Sequence, residues 1–142
     1  MSLAMILGER AGAVICAAPE TPVRDVIALL AEHRIGAVPI VEDDQVIGIM
    51  SERDVIYALQ RDGAGMLDWP VERVMTRPAI TVESSLSALQ GLSLMTRRRI
   101  RHLPVVDEGR LVGFVSIGDL VKYRIDRIVA DAAAMREYIQ SA

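Results

Sequence analysis

The chain has 142 residues, of which 51% are hydrophobic and 25% charged, and its formal net charge is −3. This composition excludes a disordered chain, and the mild acidity excludes a domain-wide basic field for nucleic acid. Cys16 is the single cysteine, so an internal disulfide and a cysteine-based zinc site are excluded as well.

The first residues, Met1-Ser2-Leu3, lack the basic start and long apolar run of a signal peptide. No apolar run approaches the roughly 18 residues needed to span a bilayer, so a soluble cytoplasmic protein without membrane contact is expected. A short N-terminal segment leads into a β-rich run at Ala13–Cys16. Cys16 in that apolar run is expected to be a buried, inert thiol. Val23, Val26, Ile27 and Leu30 then recur at helical spacing. Two strands follow, about 37–41 and 45–50, around the acidic turn Glu42-Asp43-Asp44, and a second helix starts at Ser51. A segment around Leu67–Met75 links to the second half, with Pro70 and Pro78 as boundary markers and Trp69 as a staple between the halves.

The second half repeats the first. Ala79–Val82 is β-rich, and Leu86, Leu89, Leu92 and Ser93 mark a helix. Strands at about 102–106 and 110–115 flank the turn Asp107-Glu108-Gly109, and a helix starts at Ser116. Arg34 to Val41 aligns with Arg99 to Val106, and Val46 to Asp54 with Leu111 to Asp119, at one offset. Glu20-Thr21-Pro22-Val23 matches Glu83-Ser84-Ser85-Leu86 at an offset two residues shorter, which predicts two extra residues in or after the second copy's first helix. An Ala-rich C-terminal helix is expected from about Ile128 to Ile139. The fold is α/β (α+β): β-α-β-β-α twice, packed with pseudo-twofold symmetry around a shared core. The repeats occupy 10–65 and 74–127, and 128–142 forms the last helix. Each repeat is too small to be more than marginal alone.

Ser51-x-x-Asp54 and Ser116-x-x-Asp119 each follow a strand. One reading is a capping box, with the two side chains satisfying free backbone N–H groups. The other is a ligand site, with Asp accepting from a ribose diol and the helix start facing phosphate. Gly48 and Gly113 either permit a strand distortion or let another group approach closely. The dense positive run Arg97 to His102 is a solvated helix end, except that Arg101 starts a strand beside the expected cleft, where guanidinium suits phosphate. No aromatic platform accompanies that run, so nucleic acid is not the expected partner. His33 and His102 have no nucleophile beside them, and no phosphate-binding glycine loop is present. No catalytic and no metal-ligating set emerges.

The runs Arg-His-Leu-Pro-Val-Val-Asp and Gly-x-x-Ser-x-x-Asp, together with Val74-Met75-Thr76-Arg77-Pro78, resemble CBS domains, and two in tandem resemble a Bateman module. The likeness covers roughly residues 10–127, and the forms Ser-Glu-Arg-Asp and Ser-Ile-Gly-Asp resemble those of small stand-alone bacterial CBS-pair proteins. It implies a regulatory module, not an enzyme, that binds AMP, ADP, ATP, NAD(H) or S-adenosylmethionine as a regulatory ligand. It implies two clefts, each drawing on both repeats. One takes Thr21, Ile35 and Gly36 with Arg101, Ser116 and Asp119. The other takes Ser84, Ile100 and Arg101 with Gly36, Ser51 and Asp54; Arg53, read from its position, either reaches phosphate or pairs with acidic neighbours on its helix. Adenine would lie near Ile15 or Ile80. The likeness also implies a disc-like homodimer, supported by apolar positions Val55, Ile56 and Leu59 on one helix and Leu120, Val121 and Ile125 on another. A regulated protein partner would supply the output. The rival reading is a structural interaction module with degenerate pockets.

Overall fold

The structure is a computed structural model, and it describes residues 2–8 and 13–141. The element order is α1 (Leu3–Gly8), α2 (Val23–His33), β1 (Ala37–Glu42), β2 (Gln45–Ser51), α3 (Glu52–Asp62), α4 (Ala88–Arg98), β3 (His102–Asp107), β4 (Arg110–Ser116) and α5 (Ile117–Ser141), with two short 3-10 turns at Ala64–Asp68 and Val71–Arg73. Each repeat contributes one antiparallel hairpin, β1–β2 and β3–β4. Both hairpins turn over two residues with positive φ, Asp43 and Asp44 at 51° and 63°, and Glu108 and Gly109 at 52° and 77°. That backbone matches the right-handed twist of the strands. The β-rich runs expected at 13–16 and 79–82 form no strands; single bridges join Ala17, just past the first run, to Ile40 and Val82, at the end of the second, to Val105.

The two halves superpose at one offset throughout. Ala17 and Val82 bridge equivalent strands, α2 and α4 both have 11 residues, and both end on an arginine in the left-handed region, Arg34 and Arg99. The two extra residues expected in the second copy are therefore absent. The structural counterpart of Thr21 is Leu86, and that of Ser84 is Pro19.

Two separate cores replace the shared core expected. Val23, Val26, Leu30, Val38, Ile40 and Met50 centre one, and Met95, Leu103, Val105, Val115 and Leu120 centre the other. The segment preceding each repeat completes the core of the opposite repeat. Val71 and Met75, which lead into the second repeat, lie in the first core, while Leu3 and Ile6 of α1 lie in the second. Matching backbone bonds hold both segments: Val71 N–H donates to Thr21 O at 2.8 Å, and Leu3 N–H to Leu86 O at 2.8 Å. Gly48 and Gly113 make room for these crossings. A Cβ on Gly48 would lie 2.9 Å from the Thr76 carbonyl, and one on Gly113 would collide with Leu7. Each glycine also sits at a register shift, where Ile47 or Val112 beside it is an extra residue opposite Ile40/Val41 and Val105/Val106. Trp69 packs on the first core and stacks under Arg73 at 3.9 Å, so it fastens the linker to one repeat and does not staple the two together.

The last two expected helices are one. α5 runs unbroken over 25 residues, and nothing of it beyond Tyr123 is buried. Cys16 is exposed, not buried, because the run it sits in joins no sheet there.

Candidate functional site

Two cavities open between the repeats. The larger, about 440 Å³, is lined by Ala13, Val14, Ile15, Arg34, Ile35, Gly36 and Ala37 of the first repeat. Its opposite wall is Val112, Gly113, Phe114, Ser116 and Asp119 of the second, with Leu7 and His102 beside them. The smaller, about 290 Å³, is lined by Ile49, Ser51, Glu52, Arg53, Asp54 and Tyr57 of the first repeat. Thr76, Pro78, Ala79, Ile80, Arg99, Ile100 and Arg101 close it from the second half. Gly36 and His102 line both. Volumes of this order suit small-molecule ligands, for which about 300–1,000 Å³ is usual.

Each cavity therefore combines a Ser-x-x-Asp helix start from one repeat with the residues before a hairpin of the other. The helix starts are capping boxes. Asp54 Oδ2 accepts from Ser51 N–H at 2.9 Å and from the Ser51 hydroxyl at 3.0 Å, and Asp54 N–H donates to Ser51 Oγ at 3.3 Å. Asp119 Oδ2 accepts from Ser116 N–H at 2.7 Å, and Asp119 N–H donates to Ser116 Oγ at 3.1 Å. The caps use one oxygen of each carboxylate. On Asp54 the other, Oδ1, accepts from the Thr76 hydroxyl at 2.8 Å. A carboxylate oxygen accepts two hydrogen bonds, so capping and ligand binding are compatible at the same Asp.

Of the residues singled out from the sequence, Ile35, Gly36, Ser116 and Asp119 meet in the larger cavity. Gly36, Ser51, Arg53, Asp54, Ile80, Ile100 and Arg101 meet in the smaller. Arg101 lines the smaller cavity alone. Thr21 and Ser84 line neither. The Thr21 backbone is engaged with Val71 and Ala18. Ser84 N–H and hydroxyl both donate to Asp107, which holds the Asp107 carboxyl below its usual range.

Four residues were missed. Arg34 and Arg99 sit in equivalent left-handed positions, φ 53° and 54°, one beside each cavity. The only sequence signal was the repeated Arg-Ile pair after each helix. Thr76 was read as part of a lead-in and instead supports Asp54. His102 was set aside for having no nucleophile beside it; its counterpart is Ala37, and it stacks on Phe114 with ring centroids 5.5 Å apart. Burial holds the His102 imidazole below its usual range, helped by Arg101 and opposed by Asp119 and Glu52. Among the described residues, no cluster of His, Cys, Asp or Glu forms a metal site, and no helix is long and apolar enough to cross a membrane.

Two interlocked α/β repeats with twin inter-repeat clefts define a tandem ligand-pocket module. Residues 12–61 and 71–126 match the CBS domain. The chain belongs to the CBS domain family, with two copies in tandem. It is similar to the CBS domain-containing protein YhcV of Bacillus subtilis, 31% identical over 123 residues, covering 84% of this chain and 85% of that one. It is also similar to the solved CBS-domain containing protein ATU1752 from Agrobacterium tumefaciens, with a TM-score of 0.82 and 34% identity over 87% of this chain and 99% of that one. The solved CBS domain pair of protein MJ0100, in complex with 5′-methylthioadenosine and S-adenosyl-L-methionine, has a TM-score of 0.78 and 25% identity, covering 89% of this chain and 98% of that one.

Proposed function

We propose that the chain is a regulatory module, not an enzyme, that binds adenosine-containing ligands in its two inter-repeat cavities. The observation that carries this reading is the doubled constellation, a Ser-x-x-Asp helix start from one repeat facing Ile35-Gly36 or Ile100-Arg101 from the other. Ile15 and Ile80 supply aliphatic walls for adenine, Asp119 and Asp54 accept from ribose hydroxyls, and the helix starts with Arg34, Arg53, Arg99 and Arg101 meet phosphate. Binding of adenosine compounds by MJ0100 supports the ligand class.

The cavities differ in charge. Arg53 and Arg101 of the smaller one have Gly118 and Gly36 as counterparts, so the more anionic nucleotides, AMP, ADP, ATP or NAD(H), belong there. Among the described residues Arg34 is the one arginine lining the larger cavity, which suits a neutral or cationic adenosine compound such as S-adenosylmethionine. The module acts by biasing its own packing, its self-association or a protein partner. Any such switch requires different ligand affinity in two states. In this reading two modules pair as a cytoplasmic homodimer through the exposed Ile56 and Leu59 of α3 and Val121 and Ile125 of α5. Val55 and Leu120, expected on that face, instead turn into the cores.

Isothermal titration with AMP, ATP, NADH and S-adenosylmethionine tests the proposal. Asp54→Ala is expected to weaken ligand in the smaller cavity and Asp119→Ala in the larger, by roughly 1.5–3 kcal/mol each. The capping boxes favour one rival, in which both aspartates serve only the helices and the cavities are degenerate. That reading replaces ours if no adenine compound binds at millimolar concentration and both variants lose only stability, about 0.5–2 kcal/mol.

A further inference from the structure

Helix α5 carries a second pattern, which begins at the Val121 and Ile125 of the proposed dimer face and continues beyond it. Its module-facing residues are Leu120, which is buried, and Tyr123, which is half-buried against the second core. On another face lie Val121, Ile125, Ile128, Ala132, Met135 and Ile139, spaced alternately by four and three. All are exposed; Ile128 is 54% and Ile139 65% accessible. An apolar residue every 3.5 positions on average is the a/d seam of a coiled coil, narrower than the stripe by which a surface helix packs on its own domain. With Ile125, Ala132 and Ile139 at a, the d positions are Val121, Ile128 and Met135. Ala132 at a lets two helices approach closely.

We propose that residues 121–139 of two copies of this chain pair as a parallel, in-register, two-stranded coiled coil. Charge selects both the occupant and the direction. Asp131 holds a g position and Arg136 the e position that a parallel, in-register partner places opposite it, so the pair forms twice across the twofold. A fully overlapped antiparallel pair would instead set Asp131 against its own copy and Lys122 against Arg136, each a like-charge contact. Within one helix Asp131 has only the exposed Arg127, at 3.8 Å, a pair worth little. Val129 at e and Tyr138 at g widen the seam. No ligand is required for the contact.

The test introduces Ala132→Cys into a Cys16→Ser background, because Cys16 is exposed. At an in-register a position the two new thiols face each other closely enough to bridge. A disulfide-linked dimer is expected on mild oxidation, abolished by adding Met135→Glu and unaffected by Ala130→Glu on the opposite face. Circular dichroism reports whether each variant keeps its helix. A chain with intact helix that gives no intermolecular disulfide overturns the proposal. So does one that couples only when mixed with an Ile128→Cys chain, the signature of antiparallel pairing.

Discussion

His102 stands where the two cavities meet, its proton affinity lowered by burial while Asp119 and Glu52 pull it upward. A lowered folded-state pKa means that the unfolded chain takes up the proton first as pH falls. Stability is therefore full above about 6.5 and declines as pH drops below it toward the folded-state value. Denaturant midpoints at successive pH values should show this decline, and His102→Gln should remove that part of it. The left-handed arginines give a second prediction. Leaving the right-handed region costs a non-glycine residue about 1 kcal/mol, and such strain collects at functional positions. Arg99→Gly is expected to raise stability by up to about 1 kcal/mol while weakening an anionic ligand in the smaller cavity. Paired thermal unfolding and titration measure both. Arg34 passed unremarked and Arg99 was read only as part of a solvated helix end, because a helix-terminal arginine is ordinary and its backbone conformation is set by the turn that follows.

At the scale of elements, hairpins and helices were legible because their signals are local: period-two and period-3.6 burial, acidic turns and capping boxes. The alignment at Thr21 and Ser84 failed for an equally local reason. Glu20-Thr21-Pro22 and Glu83-Ser84-Ser85 share turn chemistry, yet the helices they precede begin at Val23 and Ala88. The crossing of α1 onto the second repeat left no local trace. Leu3, fully buried between α4 and the second core, shows its importance only in three dimensions. Leu3→Ala should cost roughly 2–5 kcal/mol, as large-to-small core changes do. Hydrogen exchange should show the loss in α4 and β3 before it reaches α2 and β1.

For the molecule as a whole, the doubled motifs made the tandem family and the twin clefts readable, since a repeat whose parts must face each other leaves few arrangements. Two separate cores, in place of one, follow from each hairpin having its own helices on it. What holds the halves together is the exchange of their leading segments, joined by the cavity walls at Gly36 and His102. That exchange sets a timetable during synthesis. The first repeat is complete once Met75 has left the ribosome, but α1 is made before it, and its seat beside Leu86 and Gly113 is made after. For most of translation Leu3, Ile6 and Leu7 have nowhere to dock. The long loop from α1 to its seat can close only after Gly113 is made, so the larger cavity, walled by Leu7 and Gly113, takes its shape late.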